Sequence, residues 1–319
     1  MNFARASLGR DLLLAVLLFA ALVALPMLFQ SKALSDFVIR FAAFAIFATS
    51  LNLLTGYGGM VSFGHGLFYG LGAYSFALLL QKMQVSIPMA FASTIVISAL
   101  VALVVGAICI RLKEIYFSFL TLAFQMLLHS MIIAWVEVTG GDQGLTGGIP
   151  RPPFLGIRLD DPQHLYVFCC AVLVISLLLM WHLVRSPFGY TLRMIRDNPQ
   201  RTAFLGVQVW RVRLLAFIIA GIFGAVGGIV TSLFVSGAYP DFAYWTISGE
   251  AVFMILLGGI GVFLGPAAGA AIFLLLNDTV TRYTEHYGLV LGIVILAFAL
   301  GLRKGLLGFV VEQWRHRNA

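Results

Sequence analysis

The chain has 319 residues, of which 61% are apolar and 10% charged, with a mean hydropathy of +1.00 and a formal net charge of +7. Soluble domains carry about 25% charged residues; a water-soluble fold of this length has nowhere to put so much apolar surface, whereas a bilayer accepts it. A soluble enzyme is therefore excluded, and the excess of positive charge reports membrane topology rather than nucleic-acid binding.

Apolar stretches of about 17 to 25 residues predict ten spans, an all-α polytopic membrane protein with both termini cytoplasmic. The first, 12–29, follows Arg5 and Arg10, a pattern that also fits a secretory signal peptide, but no clean small-residue cleavage site precedes the second span, 37–54. The third, 60–80, overlaps GYGGMVSFGHGLFYGLGAY at 56–74. Small residues let membrane helices approach closely, and Gly clusters also free backbone groups for a ligand. Ser62, His65 and Tyr69 sit in this segment. An ionisable side chain in the apolar zone is costly, so His65 either lines a solute path or is a neutral imidazole hydrogen-bonded to a nearby carbonyl.

Span four is 88–110, and span five, 115–136, opens with Tyr116 and carries Thr121, Gln125 and His129 at steps of four, on one helical face. A polar stripe on an apolar helix faces protein or water, either as a path wall or through interhelical hydrogen bonds. The loop 137–163 holds four acids and four prolines and reads as an ordered periplasmic cap. Span six, 164–184, is followed by 185–213, in which six arginines face a single acid, so this segment is placed in the cytoplasm. It either receives a soluble partner or binds anionic lipid headgroups.

Spans seven to ten are 214–236, 246–262, 266–281 and 287–302. Gly221, Gly224, Gly227 and Gly228 mark the seventh as a close-packing helix. The eighth and ninth are short and interrupted by glycines and Pro266, as half-helices around a re-entrant break would be. GGIGVFLGP at 258–266 faintly echoes GGMVSFGHG at 58–66, a possible internal repeat. Asn52, Asn277 and Asp278 read as ordinary packing or span-end residues.

With an internal N-terminus, 14 of the 20 basic residues fall on the cytoplasmic side, as the positive-inside rule expects. Cys109, Cys169 and Cys170 lie in apolar runs and give neither a disulfide framework nor a metal site. There is no GxxxxGK[ST] loop, HExxH or GxSxG, and no mid-membrane carboxylate of the kind a proton-coupled carrier uses. The chain is expected not to be an enzyme, and its energy to come from another subunit. A stand-alone carrier or channel is the alternative from a different class.

LNLLTGYGGMVSFGHGLFYGLGAY at 51–74, IYFSFLTLAF at 115–124, TGGDQGLTGGIP at 139–150 and SPFGYTLRMIRDNPQRTAFLGVQVWRVRLLAF at 186–217 resemble, in order and spacing, the LivM-type permease of branched-chain amino-acid ABC importers. The resemblance covers nearly the whole chain. It implies a single permease domain over 1–319 in the bacterial inner membrane, carrying leucine, isoleucine and valine. It also implies a LivH-like second permease, two cytoplasmic ATPases that use ATP and Mg, and a periplasmic binding protein, with no cofactor on this chain. Relatives of the family also move urea, short amides or aromatic acids. The resemblance further implies that 185–213 is an ATPase-coupling loop, with Arg193, Arg196, Asp197, Asn198, Leu205 and Gly206 matching its pattern. Pro199, Gln200 and Arg201 depart from the acidic, Ala-rich stretch common there. Ser62, His65, Tyr69, Tyr116, Thr121 and Gln125 are the candidate path residues.

Overall fold

The computed structural model describes residues 2–29, 31–112, 114–151 and 158–283, with a few isolated positions beyond 287. The described part is all-α: α1 Asn2–Phe29, α2 Lys32–Asn52, α3 Gly66–Gln81, α4 Ile87–Cys109, α5 Glu114–Ala134, α6 Val136–Thr139, α7 Pro162–Arg185, α8 Pro187–Asp197, α9 Pro199–Phe204, α10 Val209–Val235, α11 Trp245–Gly258 and α12 Gly265–Tyr283. Helix starts follow a repeated local rule. Ser186 and Asn198 accept from Gly189 N–H and Arg201 N–H, and Asp161 from Gln163 N–H, each just ahead of a proline at the first helical position. Proline has no N–H to lose there and its φ suits the first turn.

Among the described residues six helices are long and apolar enough to cross a membrane: 9–26, 32–57, 87–109, 115–134, 162–185 and 209–235. The expectation of ten full-length spans is thus met only in part. The segments expected at 60–80 and 246–262 form apolar helices of 16 and 14 residues, and the expected 287–302 lies largely outside the described residues. The start of α3 is corrected from 60 to Gly66 because 58–65 is non-helical, and α10 begins at Val209 rather than 214.

One end of the bundle brings together 53–59, 185–208 and 259–264, joined by Arg196 to Gly56 and by Asn52 to Gly261 and Val262, and the opposite end brings together 81–82, 137–146 and 236–244, joined by Gln81 to Thr146, Lys82 to Glu137 and Leu145 to Ala238. The first is called here the basic end and the second the acidic end. The centre is α10, packed on α2, α3 and α4. Its glycines make this contact possible: a Cβ on Gly228 would overlap the Tyr69 carbonyl, and one on Gly221 or Gly224 would press on Phe68. Gly72 of α3 meets the Ala225 backbone in the same way. Close approach of this kind replaces the hydrophobic effect, which does not drive association between helices in lipid.

At the periphery, α1 is mostly exposed and is held by two polar contacts, Arg185 to Asp11 at 2.9 Å and the Tyr166 hydroxyl to the Leu22 carbonyl at 2.7 Å. Arg40 of α2 and Asp278 of α12 form a bidentate ion pair at 2.9 and 2.6 Å. The three cysteines are free and buried.

Candidate functional site

The least regular backbone in the bundle starts where α2 ends. Residues Leu53–Tyr57 form one π-turn, a geometry often found at functional sites. Gly59 then takes φ +68, a conformation that costs a glycine nothing, and the chain turns back into the bundle as an extended segment. This segment climbs α5: the Ser118 hydroxyl donates to the Val61 carbonyl at 2.6 Å, Gly64 lies against the Thr121 backbone, and Gly66 lies against Gln125. Its side chains alternate as extended chain requires, with Ser62 and Gly64 buried and Val61 and Phe63 exposed. Non-helical backbone at membrane depth is tolerated only when protein or a water-filled cavity receives it. Here α5 and α11 supply the partners.

A continuous hydrogen-bond chain fixes the start of α3. Gly66 N–H donates to Ser248 Oγ at 2.7 Å, Ser248 O–H to Gln125 Oε1 at 2.7 Å, and Gln125 Nε2 to the carbonyls of Tyr244 and Ala243 at 2.7 and 3.2 Å. Gln125 is fully buried and uses both ends of its amide. Thr121 donates to the Ser118 carbonyl at 2.8 Å, and His129 Nδ1 faces the Pro240 carbonyl at 3.1 Å. The polar stripe of α5 therefore faces protein and is satisfied mainly by backbone carbonyls.

His65 is fully buried, stacked on Phe47 with ring centroids 5.3 Å apart. The Ser50 hydroxyl donates to the Phe47 carbonyl at 2.7 Å, so it accepts from His65 Nε2–H at 2.8 Å, and His65 Nδ1 has no partner among the described residues. Tyr69 is also buried, between Phe47 and Phe242, and its hydroxyl bonds Thr231. Ser62 is buried with its hydroxyl unpartnered. Ser62, His65, Tyr69, Thr121 and Gln125 are thus brought into one buried region around the extended segment. Tyr116 is not: it is 69% exposed on another face of α5.

Sequence reasoning passed over Ser50, Ser248 and Asn52. Asn52 donates to the Val262 carbonyl at 3.2 Å and accepts from Gly261 N–H at 3.2 Å, joining the two Gly-rich turns at 56–59 and 259–264. An Asn one turn before the GYGG run was the available signal for this residue. The two serines carried none, because their partners are remote in sequence.

The second group of predicted residues lies on α8 and α9. Arg196 Nη1 donates to the Gly56 carbonyl at 2.6 Å while its Nε and Nη2 hold Asp197 at 3.0 and 2.9 Å. Arg193 donates to the carbonyls of Gly189 and Val184, both at 3.3 Å, and lies over the Tyr190 ring. Asn198 caps α9. Both arginines therefore point toward the bundle. Leu205 and its neighbour Phe204 point away, 71% and 91% exposed, next to Gly206 at φ +85.

At the acidic end His129, Ile133, Asp142, Tyr239, Pro240, Asp241 and Tyr244 line a cavity of about 270 Å³. Among the described residues no group of three or more His, Cys, Asp or Glu is arranged to hold a metal ion.

A family model described as branched-chain amino acid transport system / permease component matches residues 33–299. The chain is 24% identical over 311 residues to the high-affinity branched-chain amino acid transport system permease protein LivM of Escherichia coli, covering 90% of this chain and 73% of that one. It is 25% identical over 300 residues to the probable LivM of Methanocaldococcus jannaschii, covering 82% and 85% of the two chains. It is 29% identical over 129 residues to the guanosine ABC transporter permease protein NupQ of Bacillus subtilis, covering 40% and 38%. No solved structure matches.

Proposed function

Because the chain belongs to the branched-chain amino acid transport system permease family, a family of multi-pass inner-membrane ABC permease components, we propose that it forms, with a LivH-like second permease, the path by which leucine, isoleucine and valine enter the cell. On this reading two cytoplasmic ATPases bind ATP and Mg and drive the cycle, and a periplasmic protein delivers the solute. The chain itself catalyses no reaction and binds no cofactor.

The basic end of the bundle is the cytoplasmic end, following the positive-inside rule. The termini are cytoplasmic, ten segments cross the membrane within one domain, 137–163 is periplasmic and 185–213 is the coupling segment. The shorter helices α3 and α11 count as crossings because the non-helical turns beside them extend their reach.

One observation carries the mechanism: Arg196 ties α8 to Gly56, the turn from which the extended segment climbs into the bundle. Phe204 and Leu205 are the apolar docking pair for an ATPase, and movement of α8 and α9 pulls on 56–66 through Arg196. The buried serines, threonine, glutamine and histidine around that segment then exchange partners as the path opens. A rigid-body shift of packed elements biased by ATP binding is sufficient.

The test is uptake of labelled leucine into proteoliposomes holding the complete set of subunits. Uptake that needs both ATP and this chain supports the reading. Uptake by this chain alone supports a carrier instead, and ATP-driven uptake of urea, a short amide or an aromatic acid without leucine keeps the machine and replaces the solute.

A further inference from the structure

The cavity at the acidic end adjoins the buried region around 58–66 through Tyr244, whose carbonyl accepts from Gln125, and its lining carries two carboxylates. Asp142 and Asp241 contribute carboxylates that take part in no ion pair or side-chain hydrogen bond among the described residues. His129 directs Nδ1 at the Pro240 carbonyl at 3.1 Å, so that nitrogen donates. Tyr239 and Tyr244 add aromatic faces, and Ile133 is the aliphatic wall.

Among the described residues, Lys82 and Arg151 form no ion pair with these carboxylates. Lys82 Nζ donates to the Glu137 carbonyl at 2.7 Å and Arg151 Nη2 to the Leu233 carbonyl at 2.5 Å. Tyr74 is buried, its hydroxyl without a hydrogen-bond partner among the described residues, within electrostatic reach of Asp241.

The two carboxylate-bearing segments are also held together. Leu145 pairs with Ala238 as a β-bridge, Leu145 N–H donating to the Ala238 carbonyl at 2.8 Å. Gly144, at φ +69, fits so closely against that same carbonyl that a Cβ would overlap it. The 141–145 turn is thereby pinned on 238–244, which fixes Asp142 opposite Asp241.

We propose that this pocket receives the ammonium group of the solute before it enters the bundle, the ligand class being a primary amine with an apolar side chain. The proposal rests on the import reading and on the acidic end being the periplasmic one. Acceptors without a cation, beside aromatic faces, suit an ammonium through charge and cation–π attraction. The His and Asp groups do not converge as metal ligands. The volume of about 270 Å³ falls just under the range of roughly 300–1,000 Å³ typical of drug-sized ligands, as befits a small metabolite. The solute's carboxylate, repelled by both aspartates, faces outward.

The experiment uses the complete transporter in nanodiscs without its binding protein, and reads labelled-leucine binding by scintillation proximity. Leucinamide, which keeps the ammonium and lacks the carboxylate, displaces leucine; 4-methyl-2-oxopentanoate, which keeps the carboxylate and lacks the ammonium, does not. Asp142→Asn and Asp241→Asn each weaken leucine about fivefold, the scale of one solvent-accessible charge contact. Gly144→Val, whose side chain would overlap the Ala238 carbonyl and press on Tyr239, weakens it too by separating the two segments. Size-exclusion profile and basal ATP hydrolysis establish that each variant is assembled.

Wild-type complex that binds no leucine, aspartate variants that bind it as wild type does, or displacement by the oxo acid equal to that by leucinamide would each overturn the pocket. So would variants that lose the binding protein yet keep leucine. ATP-driven leucine uptake, measured on the same preparation with the binding protein restored, separates the two failures. Its absence in wild type strikes the import reading, and its presence alongside any result above strikes the pocket alone.

Discussion

Arg196 and Gly56, 140 residues apart, are joined by a charge-assisted hydrogen bond of 2.6 Å that links the helix at the basic end to the π-turn leading into the extended segment. Asp197 holds the other edge of the same guanidinium, so the fork is fixed before it reaches the carbonyl. A lysine lacks this planar fork and cannot reproduce both contacts.

Arg196→Ala is therefore expected to leave ATP hydrolysis by the assembled transporter within about twofold of wild type while leucine uptake falls about tenfold, a loss of ~1.4 kcal/mol in coupling. Arg196→Lys falls between. The ratio of leucine moved to ATP hydrolysed is the measurement, and an unchanged ratio in the alanine variant would remove Arg196 from the coupling route.

Phe204→Ser combined with Leu205→Ser removes two exposed apolar side chains that contribute little to the fold. The permease is expected to keep its thermal stability to within about 0.5 kcal/mol and to lose co-purification with the ATPases. Retention of both ATPases at wild-type stoichiometry would count against this pair as the docking surface.

The Arg40–Asp278 pair joins α2 to α12 with side chains 34% and 30% exposed. Removing either partner alone leaves an uncompensated charge among apolar helices. Partial exposure reduces the cost below that of a fully buried pair, to about 1–2 kcal/mol. Arg40→Met with Asp278→Leu together is expected to be less damaging than either single change. Thermal unfolding in detergent of the four proteins of the cycle tests this, and strict additivity would contradict it.

Gln125→Ala strips the partners from the Ala243 and Tyr244 carbonyls and from the Ser248 hydroxyl at once, with an expected loss of about 2–3 kcal/mol. Gln125→Glu keeps the size but turns a donor toward carbonyls into an acceptor, and is expected to be no better. Detergent unfolding and yield of monodisperse protein report it; a glutamate variant as stable as wild type would show that the amide donates to neither carbonyl.

Two glycines offer a matched comparison. A methyl at Gly228 overlaps the Tyr69 carbonyl, whereas one at Gly249 meets nothing within 4 Å. Gly228→Ala is expected to cost at least about 1–3 kcal/mol through overpacking, and Gly249→Ala is expected to be neutral or slightly stabilising because alanine is the better helix former. Equal melting temperatures would mean that α10 and α3 are not in the close contact described.

How much of this was legible beforehand follows from the range of each interaction. The stripe Thr121, Gln125, His129 is a local fact of helical period and was visible; that Gln125 and His129 end on the carbonyls of 240–244 depends on how α5 lies against a segment more than 100 residues away. The start of α3 was misread at 60 because an apolar, Gly-rich run reads the same to a hydropathy window whether it is helical or extended. Tyr116 was named as a path residue alongside the stripe, though five residues of helix place it on another face than Thr121. Asn52, set aside as ordinary, proved to be the clasp between the two Gly-rich turns.

The sequence by itself determined that this is a multi-span, all-helical membrane protein, which end of the bundle is basic, and which family it belongs to. These are sums and periods along the chain: apolar length, charge placement and motif spacing need no partner to be read. Only the tertiary structure decided which polar atoms meet. Arg40 meets Asp278 and Gly66 meets Ser248 from elements far apart in the sequence, and Asp142 and Asp241 are brought into the lining of one cavity. In a membrane such pairings follow from packing and from the need to satisfy every buried polar group, and both are properties of neighbours in space that sequence separation does not encode.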